Sequence, residues 1–123
     1  PDFQILIYPV ISFKNYTHAG SRKNLLGKDT SENMINYFSG ELQVTKNTPV
    51  AFLVHAKDDK VVPIENSLNY LSALQSNGVA CTIFTYEKGG HGFGMINKTS
   101  DESWTAALKD WLQKNKIIDQ SVQ

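Results

Sequence analysis

Residues 50–63 read Val50-Ala-Phe-Leu-Val-His-Ala-Lys-Asp-Asp-Lys-Val-Val-Pro63, and this stretch decides the fold. Its first part, Val50 to Val54, is an uninterrupted apolar run that follows Pro49. Such a run is typical of a strand covered on both faces, as in the middle of a parallel sheet. We therefore predict a well-buried strand here, with His55 to Pro63 as the loop at its carboxyl end.

Two other runs of β-forming residues predict strands on either side of this one in the chain. They are Phe3 to Tyr8, which is closed by Pro9, and Val79 to Tyr86. A helix is predicted from Pro63 to Asn77-Gly78, because proline favours a helix start and glycine a helix end. Its inward face is expected to carry four apolar side chains, Ile64, Leu68, Leu71 and Leu74.

The last helix is predicted from the spacing of apolar residues one turn apart. These residues include Trp104 and Trp111, which we expect in the core. The order strand, long excursion, strand, helix, strand, helix indicates an α/β fold of three layers, with a parallel sheet of about three strands flanked by helices. The excursion, Ser12 to Phe38, lacks a clear period as far as Lys28, and a helix capped by Thr30 or Ser31 follows. We interpret it as an insertion near a functional site.

Composition excludes several classes of function. The 123 residues carry 12 basic and 12 acidic side chains without a run of like charge, so nucleic acid and anionic membranes are not expected partners. No apolar run approaches the roughly 18 residues of a membrane helix. Cys81 is the single cysteine and lies in a predicted strand, so a packed thiol is expected and no internal disulfide can form.

Two loops carry the chemistry. Asp58 and Asp59 follow one strand, and Gly89-Gly90-His91-Gly92-Phe93-Gly94 follows the next. Loops at the carboxyl ends of adjacent parallel strands lie at one edge of the sheet, so a carboxylate and His91 should meet there. A carboxylate fixes the imidazole tautomer and stabilises the imidazolium, which is the work of the acid and base in a Ser-Asp-His triad. The sequence predicts Asp59 and His91 as catalytic residues, while Asp58, on the same loop, is expected to face solvent.

Three more residues are candidates for substrate binding, and each has a structural alternative. Phe93 and Met95 either form the wall of an acyl pocket or pack the turn onto the core. His18 either contacts substrate or is a solvated loop histidine. His55, at the end of the central strand, is expected to bond backbone and support the neighbouring loop. No spacing of histidine and cysteine matches a metal site, so no metal is expected.

These motifs resemble the α/β-hydrolase esterases of the acetylxylan-esterase-like type, which are related to dienelactone hydrolases and to the prolyl oligopeptidase catalytic domain. The resemblance covers nearly the whole chain. It rests on Tyr8-Pro9-Val10-Ile11-Ser12, the stretch Gly20 to Gly27, the loop His55 to Pro63, and Tyr86 to Phe93. In that family the acid stands four positions before the proline, here Asp59, and the histidine of the Gly-Gly-His-Gly turn, here His91, is the base.

The resemblance implies hydrolysis of short acyl esters, such as acetyl groups on carbohydrates or small molecules, through an acyl-enzyme and without a cofactor. Residues 1–123 are then the C-terminal part of a single α/β-hydrolase domain. A Gly-x-Ser-x-Gly nucleophile elbow does not occur in the sequence. None of Ser67, Ser72, Ser100 and Ser103 has that glycine frame, so we expect the isolated chain to be inactive.

Two alternatives stay open. The first is a non-catalytic module that associates with other chains, and the second is part of an oligopeptidase-like serine peptidase. If the Phe3–Tyr8 strand normally lies within a larger sheet, its edge is unpaired here, and an unpaired apolar edge recruits another chain. A homo-oligomer or a companion N-terminal half is therefore predicted. The sequence does not determine the localisation, since any signal peptide would lie before Pro1.

Overall fold

The computed structural model describes residues 1–28 and 30–119. It contains three strands and four helices in the described ranges, together with a short 3-10 helix at Gly40–Leu42. In chain order they are β1 (Phe3–Ile7), α1 (Ala19–Leu26), α2 (Glu32–Phe38), β2 (Val50–Ala56), α3 (Glu65–Ser76), β3 (Cys81–Tyr86) and α4 (Trp104–Lys114). All three strands lie where the sequence predicts them.

The strands form one parallel sheet in the order β1-β2-β3. Phe3 lies opposite Val50, and Ala51 lies opposite Cys81. The central strand, β2, is buried from Ala51 onwards, which explains its continuous apolar run. The predicted α/β class and three-stranded parallel sheet are confirmed.

The two faces of the sheet are covered by different helices. Alternation along β2 places Phe52, Val54 and Ala56 in a cluster with Trp104 and Trp111 of α4. Ala51 and Leu53 point the other way, into a cluster with side chains of α3. Both tryptophans are buried, as predicted, and full burial of such side chains stabilises the fold by about 2–3 kcal/mol each.

The inward face of α3 includes Leu71 and Leu74, as predicted, but differs from the prediction at Leu68. Leu68 is exposed, whereas Asn66, Ser67, Tyr70 and Leu74 are buried. Hydrogen bonding explains this difference. Oδ1 of Asn66 accepts hydrogen bonds from the backbone N–H groups of Ile11 and Ser12 at 3.0 and 2.9 Å. Satisfying those groups turns the helix so that two polar side chains face the sheet and Leu68 faces out.

Helix α1 was not predicted, since it lies in the stretch before Lys28 that shows no period. Only Leu26 of this helix is buried, so the helix has almost no apolar stripe. It begins instead through a local cap, in which His18 accepts a hydrogen bond from the N–H of Ser21 at 3.2 Å. The predicted helix after Ser31 is confirmed as α2, with the Ser31 hydroxyl accepting from the N–H of Met34.

Among the described residues, β1 and β3 are the two edges of the sheet. Neither strand is long, and Ile5 in the middle of β1 is 36 % exposed. No helix within residues 1–28 and 30–119 combines the length and the apolar character needed to cross a bilayer. The Cys81 thiol is partly covered in β3, and burial raises its pKa, which fits a packed thiol.

Candidate functional site

Two segments leave the sheet side by side at the carboxyl ends of β2 and β3. We name residues 57–63 the acid loop and residues 87–97 the base turn. Ala56 and Tyr86 lie opposite each other at the ends of their strands. The N–H of Lys57 donates to the carbonyl of Tyr86 at 2.8 Å, so both segments start from the same point.

Asp59 and His91 meet across these two segments. Nδ1 of His91 lies 2.8 Å from Oδ2 of Asp59, as the sequence predicts. An ionised carboxylate only accepts hydrogen bonds, so Nδ1 carries a proton, and in the neutral imidazole the lone pair is then on Nε2. The His91 side chain is 30 % exposed, and within the described part of the chain no hydrogen bond reaches Nε2.

The Asp59 carboxylate is buried and held by its own loop. Its Oδ1 accepts hydrogen bonds from the N–H groups of Val61 and Val62, both at 2.9 Å. Burial alone raises the pKa of Asp59, but these two donors and the His91 ring stabilise the charged form and leave the pKa below its usual value. The carboxylate is thus kept ionised beside the imidazole.

Asp58 is exposed, as expected, yet it is bonded to the base turn. Its Oδ1 accepts from the backbone N–H of Gly90 at 2.8 Å. Gly90 has φ 61° and Gly92 has φ 81°, a left-handed backbone that glycine adopts without strain. The two adjacent aspartates therefore contact the base turn in different ways, one through the backbone and the other through the His91 ring.

Aromatic rings pack against His91 on the side of β1. The Tyr8 ring lies edge-on to the imidazole, with centroids 4.7 Å apart, and 5.1 Å from the ring of Phe93. Phe93 also packs on Tyr86, so it joins the base turn to the end of β3. Tyr8 has φ 39°, a strained value for a side chain with a Cβ, and no sequence pattern signalled it.

The other two predicted substrate-binding residues, Met95 and His18, have different surroundings. Met95 is 68 % exposed on the base turn. His18 caps α1, and among the described residues its ring bonds to Ser21 rather than to Asp59 or His91. His55 supports the acid loop as expected, because its Nε2 lies 2.9 Å from the carbonyl oxygen of Val62.

Asn97 is a contributor that the sequence analysis missed. It is 4 % exposed, and its amide donates to the carbonyl of Lys88 at 2.7 Å while its oxygen accepts from the N–H of Thr99. A Cβ at Gly89 would lie 2.7 Å from the Asn97 amide nitrogen, so glycine is required there. An asparagine near a glycine-rich turn is a common pattern, and only the fold shows that this one closes the base turn.

Comparison with known proteins agrees with this fold. Residues 8–116 match the model of the prolyl oligopeptidase family. The chain belongs to that family. Over 105 residues it is 38 % identical to endo-1,4-beta-xylanase B of Butyrivibrio fibrisolvens, and over 99 residues it is 39 % identical to the acetylxylan esterase of Xylanibacter ruminicola. These alignments cover 85 % and 76 % of the chain.

A solved structure with the same fold is the acetyl ester-xyloside bifunctional hydrolase from Caldicellulosiruptor lactoaceticus. It superposes on 97 % of the chain with a TM-score of 0.93 at 36 % sequence identity. The fold is therefore part of an α/β-hydrolase. The chain spans 44 % of that hydrolase, and 16 % and 21 % of the two curated relatives.

Proposed function

We propose that the chain supplies the acid and base of a serine carboxylesterase that removes short acyl groups, above all acetyl, from carbohydrate or small-molecule esters. One observation carries the proposal: Nδ1 of His91 lies 2.8 Å from a buried Asp59 carboxylate, while no group among the described residues hydrogen-bonds to Nε2. The names of two relatives, acetylxylan esterase and acetyl ester-xyloside hydrolase, support acetylated carbohydrate as the substrate class.

In the proposed reaction, Nε2 of His91 accepts the proton of a serine hydroxyl as its oxygen attacks the ester carbonyl carbon. The imidazolium then donates that proton to the leaving alcohol oxygen, which completes the acyl-enzyme. A water molecule, deprotonated by Nε2, then attacks the acyl carbonyl carbon, and the imidazolium returns the proton to the serine oxygen as the bond between acyl group and serine breaks and the acid leaves. Asp59 stays ionised throughout and stabilises the imidazolium, a role that fits its lowered pKa.

The nucleophile is proposed to lie outside these 123 residues. Ser67 is fully buried, and Ser103 caps α4 by accepting from the N–H of Ala106. The sequence has no Gly-x-Ser-x-Gly frame, and no serine among the described residues lies on a strand-to-helix elbow. We therefore expect the isolated chain to lack esterase activity.

The substrate-facing side of the site is proposed to include Phe93, Met95 and His18. Met95 is exposed on the same turn as His91, which suits contact with an acyl chain. Phe93 packs between Tyr8 and Tyr86, which suits a wall behind the base. In an active enzyme, Met95→Ala should change KM more than kcat, and no change in KM would remove Met95 from the site.

A chimeric enzyme tests the proposal. In the Caldicellulosiruptor hydrolase, the segment that superposes on this chain is replaced by residues 1–123, and p-nitrophenyl acetate hydrolysis is measured. We expect activity in the chimera, none in the chain alone, and a loss of roughly 10⁴-fold or more on His91→Ala. A folded chimera that is inactive, or activity that survives His91→Ala, contradicts the proposal.

The family match favours one second candidate, which is peptide-bond hydrolysis. The same pair serves either reaction, because an amine leaving group also needs a proton from the imidazolium. The chimera is therefore also offered a peptide p-nitroanilide. Turnover of this substrate above that of the acetyl ester would replace the esterase assignment, whereas turnover of neither would favour an association module.

We also propose that the free edge of β1, at Phe3–Tyr8, binds a companion segment of the same hydrolase domain or a second copy of the chain. The supporting observation is that β1 pairs only with β2 in the described chain. Light scattering measures the mass in solution. A stable monomer whose β1 amides on the free side exchange slowly would contradict this part of the proposal.

A further inference from the structure

A second imidazole contacts the acid of the pair. Nε2 of His55 lies 3.2 Å from Oδ2 of Asp59, the same oxygen that accepts from His91. Both side chains in this contact are 0 % exposed. His55 stands next to last in β2 and points toward α3, since side chains alternate along the strand and Ala51 and Leu53 face that helix.

The partners of His55 fix its proton on Nε2. Two atoms face Nε2, the carbonyl oxygen of Val62 and the carboxylate oxygen of Asp59, and neither is a donor. Nδ1 lies 2.7 Å from the hydroxyl of Ser67, which is fully buried on α3. The hydroxyl donates to Nδ1, and every polar atom of a neutral imidazole is then satisfied.

We propose that His55, held in this tautomer by Ser67, is a positioning residue that aims Oδ2 of Asp59 at His91. The inference rests on the proposed function of the pair and extends it to β2 and α3. Two backbone N–H groups donate to Oδ1 of Asp59, the His91 ring donates to Oδ2, and Nε2 of His55, whose N–H donates to the Val62 carbonyl, lies 3.2 Å from the same Oδ2. These contacts on both oxygens hold the carboxylate in one orientation.

Neutral His55 is suited to this task for an electrostatic reason. A neutral N–H orients the carboxylate without adding a positive charge beside it. The full negative charge of Asp59 is then available to the imidazolium that forms at His91. A lysine or arginine in the same place would orient the carboxylate but would compete with His91 for its charge.

Two substitutions at position 55 separate positioning from general support of the fold. In His55→Gln the amide nitrogen reaches about the place of Nε2 and still donates toward Asp59. In His55→Asn the shorter amide reaches only the place of Nδ1, so it keeps Ser67 as partner and loses Asp59. Both variants are polar, and both delete the ring.

The measurement is the rate at which the Nδ1 proton of His91 exchanges with water, recorded by NMR on the 123-residue chain with labelled histidine. We expect His55→Asn to accelerate exchange about tenfold, because the 3.2 Å contact of Nε2 with the charged Oδ2 of Asp59 is lost. His55→Gln should stay within about twofold of the unsubstituted chain. Equal rates in folded His55→Asn and the unsubstituted chain, or equal acceleration by both variants, would overturn the inference.

Ser67→Ala decides the question if His55→Asn does not fold. Without the hydroxyl, Nδ1 of His55 loses its donor, and the ring nitrogen signals should show a mixture of tautomers. Exchange at His91 should then rise about threefold. A His55 that keeps its proton on Nε2 in Ser67→Ala, with unchanged exchange at His91, would overturn the inference.

The chimera keeps failure of this inference distinct from failure of the proposed function. In an active chimera, His55→Asn should lower kcat about tenfold with KM within about twofold, and His55→Gln should restore kcat. An inactive unsubstituted chimera counts against the esterase proposal alone, because the exchange measurement on the chain needs no catalysis. An active chimera with unchanged kcat in His55→Asn counts against His55 alone.

Discussion

The acid loop and the base turn face each other, but they are held in opposite ways. The Asp59 side chain is fully buried and is held by its own loop and strand, through hydrogen bonds from Val61 and Val62 and a 3.2 Å contact with His55. The His91 side chain is 30 % exposed, and its ring is anchored by Asp59 while Asp58 anchors the turn backbone. Asp59 is therefore positioned by contacts within its own loop and strand, whereas His91 is positioned by its bond to Asp59. Damage to the acid loop should therefore reach the base turn, and the reverse should not hold.

The largest expected effect comes from Asp59→Asn. The amide accepts on one side only, so its NH₂ group must face either the two backbone N–H groups of Val61 and Val62 or the imidazole N–H of His91. Leaving such buried donors unpaired should lower the free energy of unfolding by about 3 kcal/mol. Urea denaturation measures this, with Asp58→Asn as the matched control. A loss of stability no larger than that of the control would contradict the conclusion that Asp59, and not Asp58, holds these buried donors.

Acid should weaken the protein through the same carboxylate. The pKa of Asp59 is lower in the folded chain than in the unfolded chain, where it is about 3.9. Its contribution to stability is fully present above that unfolded value and is lost as the pH falls through the folded value. We expect the stability of Asp59→Asn to depend less on pH below about pH 4 than that of the unsubstituted chain. Parallel pH profiles would contradict the assigned hydrogen bonds.

A smaller effect confined to the base turn is expected from Asn97→Ala. The change leaves the N–H of Thr99 without its acceptor and removes one of the two donors to the carbonyl of Lys88, at a cost of about 1–3 kcal/mol. Hydrogen exchange should accelerate in the base turn and stay unchanged at Val61 and Val62. Faster exchange at those two valines would show that the base turn also supports the acid loop.

Much of this arrangement could be predicted from the sequence. The run Val50 to Val54 predicts the central strand because burial on both faces demands apolar residues, and parallel topology then brings Asp59 and His91 together. Leu68 was placed on the wrong face because periodicity ignores the bonds that draw Asn66 and Ser67 inward. Helix α1 rests on a local histidine cap, which is not a common start signal.

Contacts between distant side chains explain the remaining gaps in the predicted site. Tyr8 reaches the base turn only after the chain has folded, and Asn97 closes that turn through a bond to Lys88, so neither spacing nor composition signals them. The second contact of Asp59, to His55, requires that the His55 side chain point toward α3, where its ring contacts Ser67. Such contacts are tertiary, and a pattern along one chain does not encode them.

Asp58, the exposed aspartate of the acid loop, should have a smaller effect on stability than Asp59. Asp58→Ala removes the acceptor for the N–H of Gly90, whereas Asp58→Asn keeps an oxygen at the same place. We expect Asp58→Ala to cost about 0.5–1 kcal/mol, discounted for the exposed position, and to speed exchange of the Gly90 amide. Asp58→Asn should restore slow exchange. Failure of asparagine to rescue would show that charge, and not the hydrogen bond, matters at this position.

The smallest effect on stability is expected from His91→Ala. The ring is partly exposed and belongs to the dependent side of the pair, so the free energy of unfolding should change by less than about 1 kcal/mol. Protection of the Val61 and Val62 amides should remain. Loss of that protection would reverse the order of dependence inferred for the two segments.

The most direct test of the central claim is the tautomer of His91, read from the ring nitrogen and proton signals of the labelled chain. We expect a proton on Nδ1, whose signal is shifted downfield by its bond to Asp59, and no proton on Nε2. We also expect this signal to be lost in Asp59→Asn and retained in Asp58→Asn. A proton on Nε2, or an Nδ1 proton that is indifferent to Asp59→Asn, would contradict the acid–base pair.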